Sequence, residues 1–168
     1  RRTTITLEIR KASIALMFKL LCGSSAKKKR VPGILFTSPE SVCKAFIQGF
    51  LKGDGWIRRN VIDICTTSKK LALGLYFLLL KLGIVASFYE IKPAKKREKI
   101  EDKEISLSTH YRIKIVAKRF RKKLLGKDLR VERKSISAMK LKENEFFFLI
   151  PIREIRKKKF LGDVYNLE

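Results

Sequence analysis

The sequence predicts an α+β fold in which an antiparallel sheet carries helices on one of its faces. Three observations lead there. Residues 33–145 read in the order helix, strand, strand, helix, strand, strand, helix. The strands alternate apolar side chains with basic or small polar ones, so one sheet face suits a core and the other suits water or a ligand. The helical stretches close at Gly23, Gly83 and Gly126, where a residue without a side chain ends a helix readily.

Thr3–Ile9 alternates through Ile5, Leu7 and Ile9 and reads as a strand. Ala12–Leu21 has helical apolar spacing. Ser24–Pro32, SSAKKKRVP, is a basic linker. Ser38-Pro39-Glu40 starts the next helix, with Ser as cap, Pro at the first helical position and Glu in the first turn. That helix runs to about Gly53. Trp56–Arg59 and Val61–Thr67 form a hairpin turning near Asn60. On its second strand Ile62 and Ile64 face one way, and Asp63, Cys65 and Thr67 the other.

Ser68 caps a long helix over Lys69–Leu82. Ile84–Ile91 is a third strand. Lys92–Lys103, charged and containing Pro93, reads as a mobile loop. Ile105–Ile115 is a fourth strand, with Ile113 and Ile115 inward and Arg112 and Lys114 outward. Ala117–Leu125 is a basic helix. The tail, Phe146–Glu168, reads as two strands, FFFLIPIREI and DVYNLE, around a basic turn at Arg156–Lys159. A short internal echo links LLCG before KRVP with LLG before KSIS. It suggests that residues 1–32 close one unit and that a second copy follows, the two forming a pseudo-two-fold pair.

Lys and Arg number 40 against 16 acids, a net charge of +24. Such an excess points to nucleic acid first and an anionic membrane second. An apolar content of 45% is enough for a real core and argues against a disordered basic tail. Cys22, Cys43 and Cys65 have no metal-ligand spacing, and with one histidine a structural zinc site is not expected. An odd cysteine count and no visible signal peptide fit a reducing, intracellular setting. Leu71–Leu80 is too short to span a membrane, which takes about 20 apolar residues. The chain opens without Met and stops within an apparent strand, so it reads as a fragment of something longer.

The most informative stretch is Ala45–Trp56, AFIQGFLKGDGW. An amphipathic helix ends directly in Gly-Asp-Gly, which places Asp54 at the helix tip. Gly49 and Gly53 share one helical face and allow another backbone to come close. A helix that can touch a partner helix and delivers an acid at its end suggests an active site at a helix pair, acting on a polyanion.

Ile47–Gly55, IQGFLKGDG, resembles the motif that names the LAGLIDADG homing endonucleases. KKKRVP upstream resembles the K-x-[IV]-P element of intein-encoded members. Thr66–Glu90 is similar to their post-hairpin helix and third strand, and Gly162–Glu168, GDVYNLE, to the start of an intein C-terminal splicing block. The ordered set covers essentially the whole chain. It implies an αββαββα fold with a saddle-shaped sheet and a site-specific, Mg²⁺-dependent double-strand DNA endonuclease embedded in an intein. Residues 1–32 would then end a first half, 33–145 form the second, and 146–168 lead into the splicing region.

By the same resemblance Asp54 is the metal ligand and a catalytic residue of this half. Lys29 matches the lysine of the K-x-[IV]-P element, and Lys134 is its counterpart in this half, although Ser137 replaces the proline and Arg133 is adjacent. Arg58, Asn60, Asp63, Cys65, Lys92, Arg112 and Lys114 would face double-stranded DNA, with Lys95–Arg97 on phosphates. The sequence departs from the family at Lys52, where an acid is usual. It also lacks the first motif helix, so its partner would be the missing first half or a second copy. Splicing is not expected, because the terminal nucleophile and the His-Asn pair are absent.

Metal ions held by acids between the strands can activate a water and stabilise the leaving oxygen, and a nearby Lys can stabilise developing charge. Mg²⁺ needs few protein ligands, so one carboxylate per helix plus phosphates would suffice. Taken alone, Asp54 would be an ordinary turn residue, Lys29 and Lys134 part of a solvated run, Trp56 a packing residue and His110 a surface residue. Two other classes remain open at this point: a non-catalytic DNA-binding protein on the same scaffold, and an RNA-binding protein, for which no aromatic RNP-type signature is present.

Overall fold

The computed structural model describes residues 10–58, 61–94, 97–100, 103–126, 142–143 and 148–149, with single positions between 152 and 162. Two compact units divide the chain, residues 1–138 and 139–168. The first unit has the α+β architecture that the sequence predicts. Its order is α1 (Ala12–Cys22), a 3-10 turn (Gly33–Phe36), α2 (Glu40–Asp54), β1 (Gly55–Arg58), β2 (Val61–Thr66), α3 (Lys69–Lys81) and β3 (Ser87–Ile91). There follow β4 (Arg97–Ile100), β5 (Lys103–Ser106), β6 (His110–Ile115) and α4 (Lys118–Leu125).

β1, β2, β6 and β3 form an antiparallel sheet in that spatial order. Ile62, Ile64, Ile113 and Ile115 are fully or almost fully buried on its inner face, because their i, i+2 spacing sends them to one side. α2 and α3 cover that face, α3 lying on β2 and β6 and α2 on β1 and β2. α3 contributes Leu71, Leu75, Leu78 and Leu79 to the core, and α2 contributes Cys43, Ile47 and Leu51 at a strict four-residue spacing. Each buried leucine or isoleucine here stabilises by roughly 1.5–3 kcal/mol through removal from water. Ser68 caps α3 by accepting from Leu71 N–H at 3.2 Å. At 13 residues, α3 is a core helix; among the described residues no helix is long and apolar enough to cross a membrane.

Four local expectations need correction. α2 begins at Glu40 with Pro39 in the cap position and no side-chain cap; the Ser38 hydroxyl instead donates to the Ile34 carbonyl at 2.8 Å. The 3-10 turn offers that acceptor beside Ser38, and the local bond wins over capping. The expected loop at 92–103 contains β4, paired with β5 so that Lys99 lies opposite Glu104. With one isoleucine in each strand, Ile100 and Ile105, the sequence offers too little alternation to mark this ribbon. The expected strand 105–115 is two strands, β5 and β6, separated at 107–109. The third strand begins at Ser87 rather than Ile84; Ile84, Val85 and Ala86 are buried but outside the sheet.

α1 forms where expected yet has no buried residue; Leu16, Phe18 and Leu20 are all more than half exposed. In the second unit, β7 (Lys142–Glu143) pairs with β8 (Phe148–Leu149). The predicted strand FFFLIPIREI is therefore short among the described residues, since Ile152 and Ile155 lie outside any strand. The predicted strands at 3–9 and 163–168 lie outside the described residues.

Candidate active site and nucleic-acid interface

α2 delivers Asp54 as its last residue, and the chain enters β1 at once. Gly55 makes that turn possible: a Cβ there would lie 2.6 Å from the backbone of Leu51. The Asp54 side chain is 62% exposed, and its Oδ2 stands 3.9 Å from Lys29 Nζ. Both line a cleft of about 340 Å³ with Ala26, Phe50, Cys65 and Thr66 among its walls. An ion pair this long and this exposed contributes little to stability. Its interest is chemical, because an acid and a base converge on one open cleft from segments far apart in sequence.

Lys29 is placed by its backbone. The Ser68 hydroxyl donates to the Lys29 carbonyl at 2.5 Å, and Lys29 N–H donates to Ser25 O. Arg30 N–H donates to Cys22 O, and its guanidinium donates to the carbonyls of Leu20 and Leu21 at the end of α1. Val31, 5% exposed, sits against α3 at Gly74, where a Cβ would come within 2.7 Å of its methyl. The basic linker of the sequence is thus a fixed strap. Its fixing residues, Ser68 and Gly74, belong to α3 and its cap and were not among the expected site residues.

A divalent cation implied by the resemblance is tested by the donor set. Asp54 offers an exposed carboxylate at an open cleft, which suits a hard cation that keeps most of its waters. Among the described residues no three His, Cys, Asp or Glu side chains gather to hold a metal. Asp54 alone is an incomplete ligand set, and a cation held there would need a further donor. Among the described residues α2 carries a bare face beside Asp54: a Cβ at Gly49 or Gly53 would meet nothing within 4 Å.

The outer face of the sheet displays a row of supported cations. The Arg58 guanidinium lies 3.5 Å from the centroid of the Trp56 ring, and Lys114 Nζ 5.8 Å from that of Tyr89. Trp56 is half exposed, so it is a platform for arginine and not a core residue. Asp63 is on this face but only 5% exposed, because Arg112 covers it. Arg112 Nε donates to both Asp63 oxygens at 2.8 and 2.9 Å, and Nη2 to Oδ2 at 2.5 Å. Those bonds raise the Arg112 pKa above its ordinary value, and the guanidinium stays charged at any accessible pH.

The structure brings Asp54 and Lys29 together at one cleft, with Cys65 in its wall. It sets Arg58, Asp63, Arg112 and Lys114 side by side on one sheet face. Lys92 is exposed just beyond β3, and His110 is half-buried at the start of β6. Asn60 and Lys134 lie outside the described residues.

Residues 41–136 match the family model described as LAGLIDADG-like domain. A DNA polymerase of a Thermococcus species is 42% identical over 87 residues, covering 51% of this chain and 5% of that protein. A probable translation initiation factor IF-2 of Methanocaldococcus jannaschii is 31% identical over 115 residues, 65% of this chain and 9% of that protein. A DNA gyrase polypeptide of Mycobacterium leprae is 38% identical over 74 residues, 41% of this chain and 6% of that protein. The chain thus spans less than a tenth of the length of each of these three relatives.

Proposed function

The chain belongs to the LAGLIDADG-like domain family, and from that premise we propose that it is one half of a site-specific homing DNA endonuclease carried in an intein. The observation that carries this reading is the Asp54–Lys29 pair in an open cleft at the tip of a helix whose glycine face is bare. The intein context draws support from the relatives. Polymerase, initiation factor and gyrase have unrelated names, and each matches over a small share of its length, as an inserted module would. On this reading residues 1–32 close the first half, 33–145 are the second, and 146–168 lead toward the splicing region. Double-stranded DNA is the partner that the charge of +24 and the cationic sheet face fit.

In the cleft, Asp54 would hold Mg²⁺ together with an acid from the other half. When bound there, the cation would supply Lewis-acid polarisation of the phosphoryl oxygen and lower the pKa of a coordinated water. Lys29 holds its ammonium beside the phosphate that is cleaved, where it offsets developing negative charge. The glycine face of α2 receives the second motif helix, from the first half or from another copy. Asn60 and Lys134 belong to the same proposal, Asn60 as a DNA contact and Lys134 as the basic residue of this half.

The test is cleavage of a randomised plasmid library by the chain at low salt, with Mg²⁺ or with EDTA. Mg²⁺-dependent breaks that vanish in Asp54→Asn, with DNA binding kept, are the expected result. Binding without breaks, even after the upstream repeat is restored, would leave a DNA-binding protein that has lost cleavage.

A further inference from the structure

Arg112 has two donor edges, and Asp63 takes one of them. The Nε–Nη2 edge is closed on the carboxylate. The remaining edge, Nη1 with the second Nη2 proton, is a pair of parallel N–H donors, and among the described residues Nη1 has no hydrogen-bond partner. Arg112 is one-third exposed while Asp63 is buried beneath it, so the open edge belongs to the accessible part of the pair. Cys65 and Tyr89 are its direct neighbours on the flanking strands. Cross-strand bonds to a fixed carboxylate remove most of the rotamer freedom that an exposed arginine would otherwise lose on binding.

We propose that Arg112 reads a guanine in the major groove and that Asp63 is the positioning residue that aims it. This rests on the DNA-binding reading above. Guanine alone presents two acceptors, O6 and N7, side by side on its major-groove edge, and they match two parallel N–H donors. Adenine places a donor beside N7, which would meet an N–H head-on. A phosphate could also accept a fork, but Asp63 opposes it: a carboxylate beneath the guanidinium cancels much of the charge that attracts a phosphate. The fixed geometry that a base edge requires is untouched by that cancellation. Asp63 therefore contributes to specificity without touching DNA. Lys114, opposite Asp63 in the sheet, has no carboxylate clamp among the described residues, only the Tyr89 ring beside it, and suits a phosphate.

The experiment is selection of duplexes from a randomised pool by the full chain, sequenced for the wild type, Arg112→Lys, Arg112→Ala and Asp63→Asn. Folding of each is checked by thermal melting. The wild type is expected to select a G at one position. Arg112→Ala should relax preference at that position alone by about 5- to 150-fold, and Arg112→Lys should relax it by less, because lysine can still donate to O6 and N7 but without the fixed fork. Asp63→Asn should blur the same position while Arg112 is still present, which a purely structural role would not do. Preserved preference at every position in Arg112→Ala overturns the proposal. So does uniform weakening across all sequences, which marks a phosphate contact. If the wild type retains no duplex in preference to heparin, the DNA-binding reading itself fails, and this inference with it.

Discussion

The hydroxyl of Ser68 joins two segments 39 residues apart: it accepts from Leu71 N–H at the start of α3 and donates to the carbonyl of Lys29. Ser68 is fully buried, so water cannot replace either bond. The cap that starts one helix is also the anchor that sets the base of the cleft. Ser68→Ala should lower stability by about 1–3 kcal/mol, combining a lost cap with an unsatisfied carbonyl. It should lower cleavage by roughly 10- to 100-fold through displacement of Lys29, with DNA affinity little changed. Ile115→Val is the control. It removes a core methylene at similar cost, about 0.5–1.5 kcal/mol, far from the strap. Equal loss of cleavage in both variants would mean that Ser68 only stabilises.

A second hold on the strap is Val31 against Gly74. Alanine at position 74 would gain up to about 1 kcal/mol in helix propensity. Its Cβ would meet Val31 at 2.7 Å, and overpacking of this kind costs about 1–3 kcal/mol. The second effect wins, so Gly74→Ala should unfold more easily and cleave poorly. Adding Val31→Ala removes the methyl at 2.7 Å but keeps the Cβ at 2.9 Å, and should restore only part of both. Melting and cleavage of the single and double variants decide this; a single variant more stable than wild type would show that Val31 yields freely.

Much of this was legible in the residues. The helix over Glu40–Asp54, the cap at Ser68 and the turn of α4 at Gly126, whose φ is 73°, follow from local patterns that tertiary packing did not override. The outward placement of Asp63, Cys65, Arg112 and Lys114 followed from strand alternation. The register did not. Asp63 is level with Lys114, and its bonds run diagonally to Arg112, a relation that depends on how β2 and β6 slide against each other. The expectation of Asp63 on an open polar face therefore met a carboxylate buried by its diagonal neighbour. Ser38 shows the same limit locally, since Ser-Pro-Glu fits a helix start but a preceding 3-10 turn offers its hydroxyl a nearer acceptor.

Lys29 separates chemistry from stability. Its ion pair with Asp54 is 3.9 Å long, with the two side chains 50% and 62% exposed, so little folding energy depends on it. Lys29→Met keeps the stem and should melt within the error of the wild type. Cleavage should fall by about 10²–10³-fold if the ammonium stabilises charge at the scissile phosphate. Lys28→Met, the neighbour in the same basic run, supplies the comparison. Equal effects at positions 28 and 29 would make Lys29 a member of a solvated basic run.

Gly49 gives opposite signs for the isolated chain and for the assembled site. Among the described residues a Cβ there meets nothing within 4 Å, and the residue lies in the interior of α2. Alanine removes the entropy penalty of glycine in a helix, so Gly49→Ala should raise stability of the chain alone by about 0.5–1 kcal/mol. The same methyl stands on the face where a second motif helix would have to come close, and a bulkier Gly49→Ile would hold two helix backbones apart. Cleavage should therefore fall in the series Gly, Ala, Ile even though the isolated chain does not lose stability in the first step. Melting, sedimentation and cleavage across the three proteins test both signs together. Full cleavage by Gly49→Ile would show that this face is not where the halves meet, and the acid that completes the Asp54 site would have to come from elsewhere.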